Sequence, residues 1–450
     1  MKRPSVLFIN RVYPPVRGAT GRVLRDLAHA FARDGWDVTV LTTGPKAGIF
    51  QDGPVTVRRI EASGRKSISA YFGVWLRLLY TALMLPRYNM VVTLTDPPML
   101  VVAGRILARF KRSSHMHWCH DLYPDILPVL GLNIPNKVMN FLKATSRRAM
   151  KSCDRVVVVG RCMAKHLAFT GLDMSKVTII PNWPDLELSN FSAIKVEGGK
   201  SNSSTNGTMK TGKAALSAAA QAQATSESSR SPIRIKGAAN GNFAAKARGA
   251  LKQRPFFLDE SPKFRVLYAG NLGRVHPVST ILEAAAMLSP DHSEIEFVFV
   301  GEGAGYDRIA YERARRGLDN IRLLPAQPVS RLKELMESGD VHLISMKHEA
   351  AGMLVPSKLY AALAAGRPCI LIGPDHTETA RVIREYGAGA IVEQGNAKKL
   401  AAEILRMRMD GDCWFAAMSG ASRAGKEFSP DHSISSWIRS ARDTIRTRVA

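Results

Sequence analysis

Short apolar runs recur along this chain, separated by longer stretches whose apolar residues return at helical spacing. Residues 5–10 form the first run and read as a β-strand. A Pro/Gly loop, Tyr13-Pro-Pro-Val-Arg-Gly18, follows it, and then a helix from about Gly21 to Arg33 with Leu24, Leu27, Ala28 and Phe31 on one face. Val38–Leu41 is the next strand, so strand, helix and strand fall within forty residues, the signature of a parallel βαβ unit. Strands follow at Met90–Leu94, His115–Trp118, Arg155–Val159 and Val177–Ile180, with helices around 99–110 and 135–150. These strands are continuously apolar instead of alternating, as in a sheet covered on both faces.

The same grammar restarts at Phe264–Tyr268. Strands at Ile295–Val300, Ile321–Leu324, Val341–Ile344, Cys369–Ile372 and Ala390–Val392 alternate with helices, one of them from about Pro277 to Leu288. Between the two patterns, from about Ala193 to Pro262, Ser, Ala, Gly, Lys, Asn and Thr dominate without periodicity, which predicts a flexible insertion. The division is therefore a first domain over 1–190, a low-complexity linker over 191–262 and a second domain over 263–450, whose last helix is free to pack back on the first. The expected fold class is α/β: two Rossmann-like, doubly wound domains facing across a cleft, with ligands at the carboxyl ends of the strands.

At 450 residues the chain holds two ordinary cores, and 46% apolar with 22% charged residues excludes general disorder. The formal charge of +25 is uneven: +15 over residues 1–190, +7 over 191–262 and +3 over 263–450. A basic half suits nucleic acid, an anionic lipid surface, or no special partner. No nucleic-acid module, zinc spacing or aromatic-interleaved basic stripe is present, so nucleic acid is set aside. Tyr71–Pro86 is apolar but too short, and too interrupted by Arg77, to span a bilayer. It reads either as an interfacial helix with Trp75 and Tyr80 at headgroup depth or as an ordinary core helix. Five cysteines, odd in number and without a CxxC, predict a reduced cytosolic protein. The first residues carry too short an apolar run for a signal peptide and read better as the first strand.

The most informative run is Met353-Leu-Val-Pro-Ser-Lys-Leu-Tyr, continuing to Gly373. It predicts a loop, a helix capped by Ser357 and stopped by Gly366, and a buried strand. A cation in the first turn, Lys358, opposes the helix dipole but suits a phosphate docked on the free N–H groups. Gly18 and Gly21, Gly270 and Gly273, and Gly301 and Gly303 each place glycine in a loop after a strand, where backbone approaches a phosphate or ring without a Cβ in the way. Three such loops with the Ser357 helix point to a nucleotide diphosphate held between domains. Arg274 either reaches that diphosphate or is a solvated surface arginine.

His117, His120, Asp121 and Asp125 cluster at the end of the fourth strand. His120 with Asp121 either orients a hydroxyl and accepts its proton or is a structural pair. Pro181-Asn-Trp-Pro184 closes the first domain and reads as part of a hinge, with Asn182 a turn residue. Glu378, before an amphipathic helix, either holds sugar or ribose hydroxyls or is a first-turn acid favoured by the dipole; Glu349 is another candidate. No Asp-x-Asp lies at a strand end, and Asp410-Gly-Asp412 looks like a turn, so no catalytic metal and no bound cofactor are expected. No G-x-G-x-x-G with a following acid opens the first βα unit, which weakens a dinucleotide reading.

As an ordered set, Tyr13-Pro-Pro with Gly18 and Gly21, His120-Asp-Leu-Tyr-Pro124, Ile180-Pro-Asn-Trp183, Tyr268-Ala-Gly-Asn-Leu-Gly273, Val300-Gly-Glu-Gly303, Val355-Pro-Ser-Lys-Leu-Tyr360 and Ala365-Gly-Arg-Pro368 resemble the retaining GT-B glycosyltransferases of family 4. The likeness is to the branch building bacterial exopolysaccharide, colanic-acid-like or O-antigen chains, and covers nearly all the chain outside 193–262. It implies an acceptor-binding first half and a sugar-nucleotide-binding second half. Arg274 and Lys358 would neutralise the departing diphosphate, with Gly270, Asn271, Gly273, Gly301, Gly303, Ser357 and Glu378 around the donor and His120 or Asp121 near the sugar and acceptor hydroxyl. It further implies a polyprenyl-diphosphate-linked saccharide acceptor on the anionic inner face of the cell membrane, with the enzyme cytoplasmic and peripheral. Two departures stand out. Many members carry two glutamates eight residues apart where this chain has Met353 and Ala361, and the lysine that often follows the Arg274-type arginine is absent. A sugar-nucleotide epimerase on the same architecture and a catalytically silent binding subunit are the alternatives.

Overall fold

The computed structural model describes residues 3–16, 18–62, 67–185 and 263–449; the low-complexity linker read over 191–262 lies outside the described residues. The apolar runs of the first half become β1 (Ser5–Ile9), β2 (Asp37–Gly44), β3 (Gly48–Asp52), β4 (Val55–Glu61), β5 (Met90–Thr93), β6 (Ser114–Cys119), β7 (Arg155–Val158) and β8 (Val177–Ile179). They form one sheet in the order β3-β4-β2-β1-β5-β6-β7-β8, parallel except for the antiparallel β3–β4 pair. That hairpin is absent from the pattern reading because it is an edge: Ile49 and Phe50 are exposed, and Arg58 and Arg59 interrupt the apolar run.

Helices α1 (Ala19–Arg33), α2 (Ile68–Met84), α3 (Leu100–Lys111), α4 (Asn136–Lys151) and α5 (Arg161–Phe169) lie between the strands in sequence. In α1, Leu24, Leu27 and Phe31 are fully buried, and Phe31 meets Phe8 of β1 edge to face at 5.4 Å. The apolar stretch that begins at Tyr71 is resolved by α2 into two faces. Val74, Leu78 and Ala82 enter the core, whereas Phe72, Leu76, Tyr80 and Met84 remain 46–65% exposed. Trp75 is turned inward and donates its indole N–H to the Met99 carbonyl at 3.2 Å, so of the two headgroup candidates only Tyr80 faces outward.

The second half forms β9 (Phe264–Ala269), β10 (Ile295–Val300), β11 (Ile321–Leu324), β12 (Val341–Ser345), β13 (Cys369–Ile372) and β14 (Gly389–Val392), all parallel in the order β11-β10-β9-β12-β13-β14. Its helices are α6 (Ser279–Leu288), α7 (Ala304–Arg316), α8 (Leu332–Ser338), α9 (Lys358–Ala364), α10 (Glu378–Tyr386), α11 (Ala397–Met409), α12 (Gly411–Glu427) and α13 (Pro430–Val449). Of Asp410-Gly-Asp412, only Asp410 lies between α11 and α12; it caps α12, its carboxylate accepting the Cys413 N–H at 2.9 Å, and Gly411 and Asp412 open the helix where the sequence suggests a turn.

Strand order reverses beside β1 in the first sheet and beside β9 in the second. A crevice opens at the carboxyl ends of such strands, because the crossovers on either side leave to opposite faces. The final helix, α13, leaves the second half and packs on the first. Its buried Trp437 lies 4.8 Å from Trp118 of β6, Ser433 donates to the Pro181 carbonyl at 2.9 Å, and Arg442 pairs with Asp34 at 2.8 Å.

Candidate active site

At the second switch point, the loop after β9 carries Gly270, Asn271, Gly273 and Arg274, and the loop after β10 carries Gly301 and Gly303. The two loops interlock. A Cβ on Gly301 would fall 2.3 Å from the Gly270 carbonyl oxygen, and one on Gly303 would fall 2.3 Å from Asn271 Oδ1. Both residues also sit at positive φ, so a side chain is excluded twice over. Gly273 is under no such pressure, its nearest neighbour to a Cβ being 3.7 Å away.

Lys358 opens α9 and arches over this floor. Its Nζ donates to the Asn271 carbonyl at 3.2 Å and sits 5.0 Å from the Tyr268 ring centroid. The half-buried ammonium has its pKa pulled down to about 8 by desolvation. Ser357 does not cap the helix as its spacing predicts. Its backbone is already helical (φ −64°, ψ −18°), a geometry that keeps Oγ from turning back onto the first N–H groups, and no side-chain cap forms. Arg274 is exposed and donates from Nη1 to the Leu130 carbonyl of the first half at 3.2 Å. Beside it Val275, Met346, Ala350 and Leu354 pack against Ile126, closing an apolar contact between the halves.

The opposite wall is the end of β6. His120 is buried, its ring 4.5 Å from Trp118 and its Nδ1 3.2 Å from Asn182 Nδ2. Burial, with His117 nearby, pulls its pKa down to about 3, so the imidazole is neutral at ordinary pH. Asp121 is bridged to Leu354, and the Leu122 N–H donates to the Met353 carbonyl at 2.8 Å, which brings the first half against the loop leading to Lys358. The Asp121 carboxyl is pushed up to about 7, by burial first and by Asp96 second. It lines a small cavity with Thr95, His117 and Tyr123. Asp96 itself is paired with Arg11 at 2.7 Å across the first switch point.

Gly18 and Gly21 lie at the start of α1, against the loop after β1. A Cβ there would fall 2.7 Å from Val12 Cγ1 and 2.9 Å from the Val12 carbonyl respectively, so these glycines let the helix close on that loop. Glu378 meets the first half. It heads α10, is 5% exposed, and accepts from the Arg161 backbone N–H at 2.7 Å and from Arg161 Nε at 3.0 Å. Its carboxylate thus ties the second half to the start of α5 in the first. Glu349 is exposed in a short 3₁₀ turn. Met353 and Ala361, where the family resemblance suggests a glutamate pair, are partly buried among apolar side chains.

The structure therefore gathers Gly270, Asn271, Gly301, Gly303 and Lys358 on one floor, with Arg274 at its edge, and places His120 and Asp121 on the facing half. Arg161 escapes pattern reading. Its only signal is a cation directly after Gly160 at a strand-to-helix turn, which says nothing of a carboxylate 217 residues away.

The comparisons fit this geometry. Residues 20–188 match the family model of Glycosyltransferase Family 4, and residues 251–412 match that of Glycosyl transferases group 1. The chain is a glycosyltransferase, of the hexosyltransferase class. This glycosyltransferase is 22% identical over 431 residues to the protein described as the colanic acid biosynthesis glycosyl transferase WcaI of Escherichia coli (strain K12), spanning 89% of this chain and 91% of that one. Anabaena HepE, solved in complex with UDP-glucose, superposes with a TM-score of 0.63 at 14% identity over 98% of this chain and 99% of that chain. Sucrose-phosphate synthase from Thermosynechococcus elongatus gives a TM-score of 0.68 at 15% identity, over 99% and 100%. At these identities the superpositions establish the GT-B architecture: two Rossmann-like α/β domains.

Proposed function

We propose that this glycosyltransferase moves a hexose or acetamido-hexose from a nucleotide-diphosphate donor to a lipid-linked saccharide, at the cytoplasmic face of an anionic membrane, during cell-surface polysaccharide synthesis. The observation that carries the donor assignment is Lys358, a half-buried cation that meets no carboxylate among the described residues, held over the interlocked glycine loops at the second switch point. A desolvated cation above backbone stripped of side chains is suited to a diphosphate leaving group, whose growing charge it would offset. Arg274, at the edge of the same floor, is the second cation. Side-chain charges take the place of a metal in this reading, and in it Asp121, beside His120, accepts the acceptor hydroxyl proton. Retention of anomeric configuration is part of the proposal and rests on family likeness; NMR of the product anomer tests it.

The acceptor and its setting rest on two supports. One is the likeness to WcaI, whose description names colanic acid biosynthesis. The other is the outward face of α2, where Phe72, Leu76, Tyr80 and Met84 repeat every four residues beside exposed Arg77, Arg87, Arg105, Arg109 and Arg112. Among the described residues no helix is long and apolar enough to cross a membrane. A thermal-shift screen of nucleotide sugars tests the donor assignment, since a ligand of the native state raises its apparent stability. A rise with one nucleoside-diphosphate sugar that is lost in Lys358→Ala supports it, and no rise with any of them overturns it.

A further inference from the structure

Four observations converge on His120. Its ring is fixed against Trp118 at 4.5 Å, and Trp118 is in turn packed between Trp183 at 5.6 Å and Trp437 at 4.8 Å, so the imidazole plane has little freedom to turn. Its Nδ1 lies 3.2 Å from Asn182 Nδ2, an amide nitrogen that can only donate. Its Nε2 is buried and has no protein partner among the described residues. The residue directly follows β6 and precedes Asp121, whose backbone bridges to Leu354 of the second half, so His120 lies in the segment of the first half that meets the second.

We propose that Asn182 is a positioning residue that fixes His120 as the Nε2–H tautomer, so that the imidazole offers substrate a hydrogen-bond donor instead of a base. A neutral imidazole accepting at Nδ1 must carry its proton on Nε2. That N–H, buried without a partner, costs stability unless a ligand oxygen completes it, and an oxygen gaining negative charge completes it best. The inference rests on the glycosyltransferase reading for the identity of that oxygen, but not for the tautomer. It assigns donor and acceptor roles to neighbouring residues: His120 stabilises charge on an oxygen, and Asp121 alone is left to take a proton.

The tautomer is read directly, without substrate, from long-range nitrogen–proton NMR spectra of protein labelled with ¹⁵N-histidine, His120 being assigned by the signal lost in His120→Gln. The expected result is a pyridine-type Nδ1 and a protonated Nε2 that persist from pH 6 to 8. A protonated Nδ1 in the wild type overturns the proposal. Asn182→Asp supplies an acceptor in place of the donor, which should move the proton to Nδ1 and lower kcat about a hundredfold, the scale of losing one aligned donor, with a much smaller change in donor KM. An unaltered tautomer or kcat in Asn182→Asp counts against the proposal. Should that variant fail to fold, Asn182→Ala removes the donor altogether: the fixed Nε2–H tautomer is then expected to give way to a mixture in the same spectra, and a tautomer left unaltered overturns the proposal. A wild type that turns over no sugar nucleotide would sink the proposed function while leaving the spectra to judge the tautomer.

Discussion

On the proposed reading donor binding turns on Lys358, whose environment predicts both a size and a pH dependence. Replacing it by Ala removes a charge-assisted hydrogen bond worth ~2 kcal/mol, or about thirtyfold in donor affinity by equilibrium titration. Lys358 is cationic below its pKa of about 8, and Asp121 is anionic above about 7. The kcat/KM for donor should therefore fall as pH rises past 8, and the kcat/KM for acceptor should rise through pH 7. In Asp121→Asn the acid limb of the acceptor profile should vanish along with most activity; a limb that survives assigns it to another group. Because the charges on the diphosphate are side-chain cations in this reading, treatment with EDTA followed by buffer exchange should leave the rate unaltered.

Helices and strands differ in how much of them the sequence discloses, and the reason is burial. Strands β10, β11 and β13 fall where their apolar runs place them: β13 is buried at every position and has no polar residue to blur its limits, while β10 and β11 keep theirs around one charged residue each, Glu296 and Arg322. The β3–β4 hairpin is invisible to the same reading because an edge keeps its charges. The failed cap at Ser357 is a different lesson: spacing marks where α9 begins, but only backbone angles decide whether a hydroxyl can reach back. For α2, composition alone leaves core and membrane readings level, and the fold buries one face while leaving the other exposed. If the outward face meets lipid, the double variant Phe72→Glu/Leu76→Glu should lose binding to anionic vesicles in sedimentation assays while donor binding persists. High salt should weaken the wild type's binding too, as the flanking arginines act through charge. Vesicle binding that the variant retains would refute the assignment.

Across the whole molecule, the two halves are held by contacts no local pattern announces. The glycine loops and Lys358 were legible because each belongs to one βα unit. The Arg161–Glu378 tie was not, since its partners are 217 residues apart and each looks ordinary in its own segment. Glu378 is buried, so Arg161→Ala would strand a carboxylate with only the α5 N-terminus for company. A loss of about 3 kcal/mol in denaturant unfolding is expected, the lower end for breaking such a pair because Arg161 is itself about one-third exposed. Arg161→Lys should recover part of it, whereas a variant as stable as the wild type would show the tie to be ornamental.

The crossing of α13 has a practical consequence for recombining enzymes of this kind. Anyone exchanging second halves between two of them would be tempted to swap everything after residue 263 as a block. Trp437 and Arg442, however, answer to Trp118 and Asp34, which belong to the recipient's other module. A chimera joined near Phe428, so that Pro430–Val449 stays with its native sheet, should outperform one joined only at the linker.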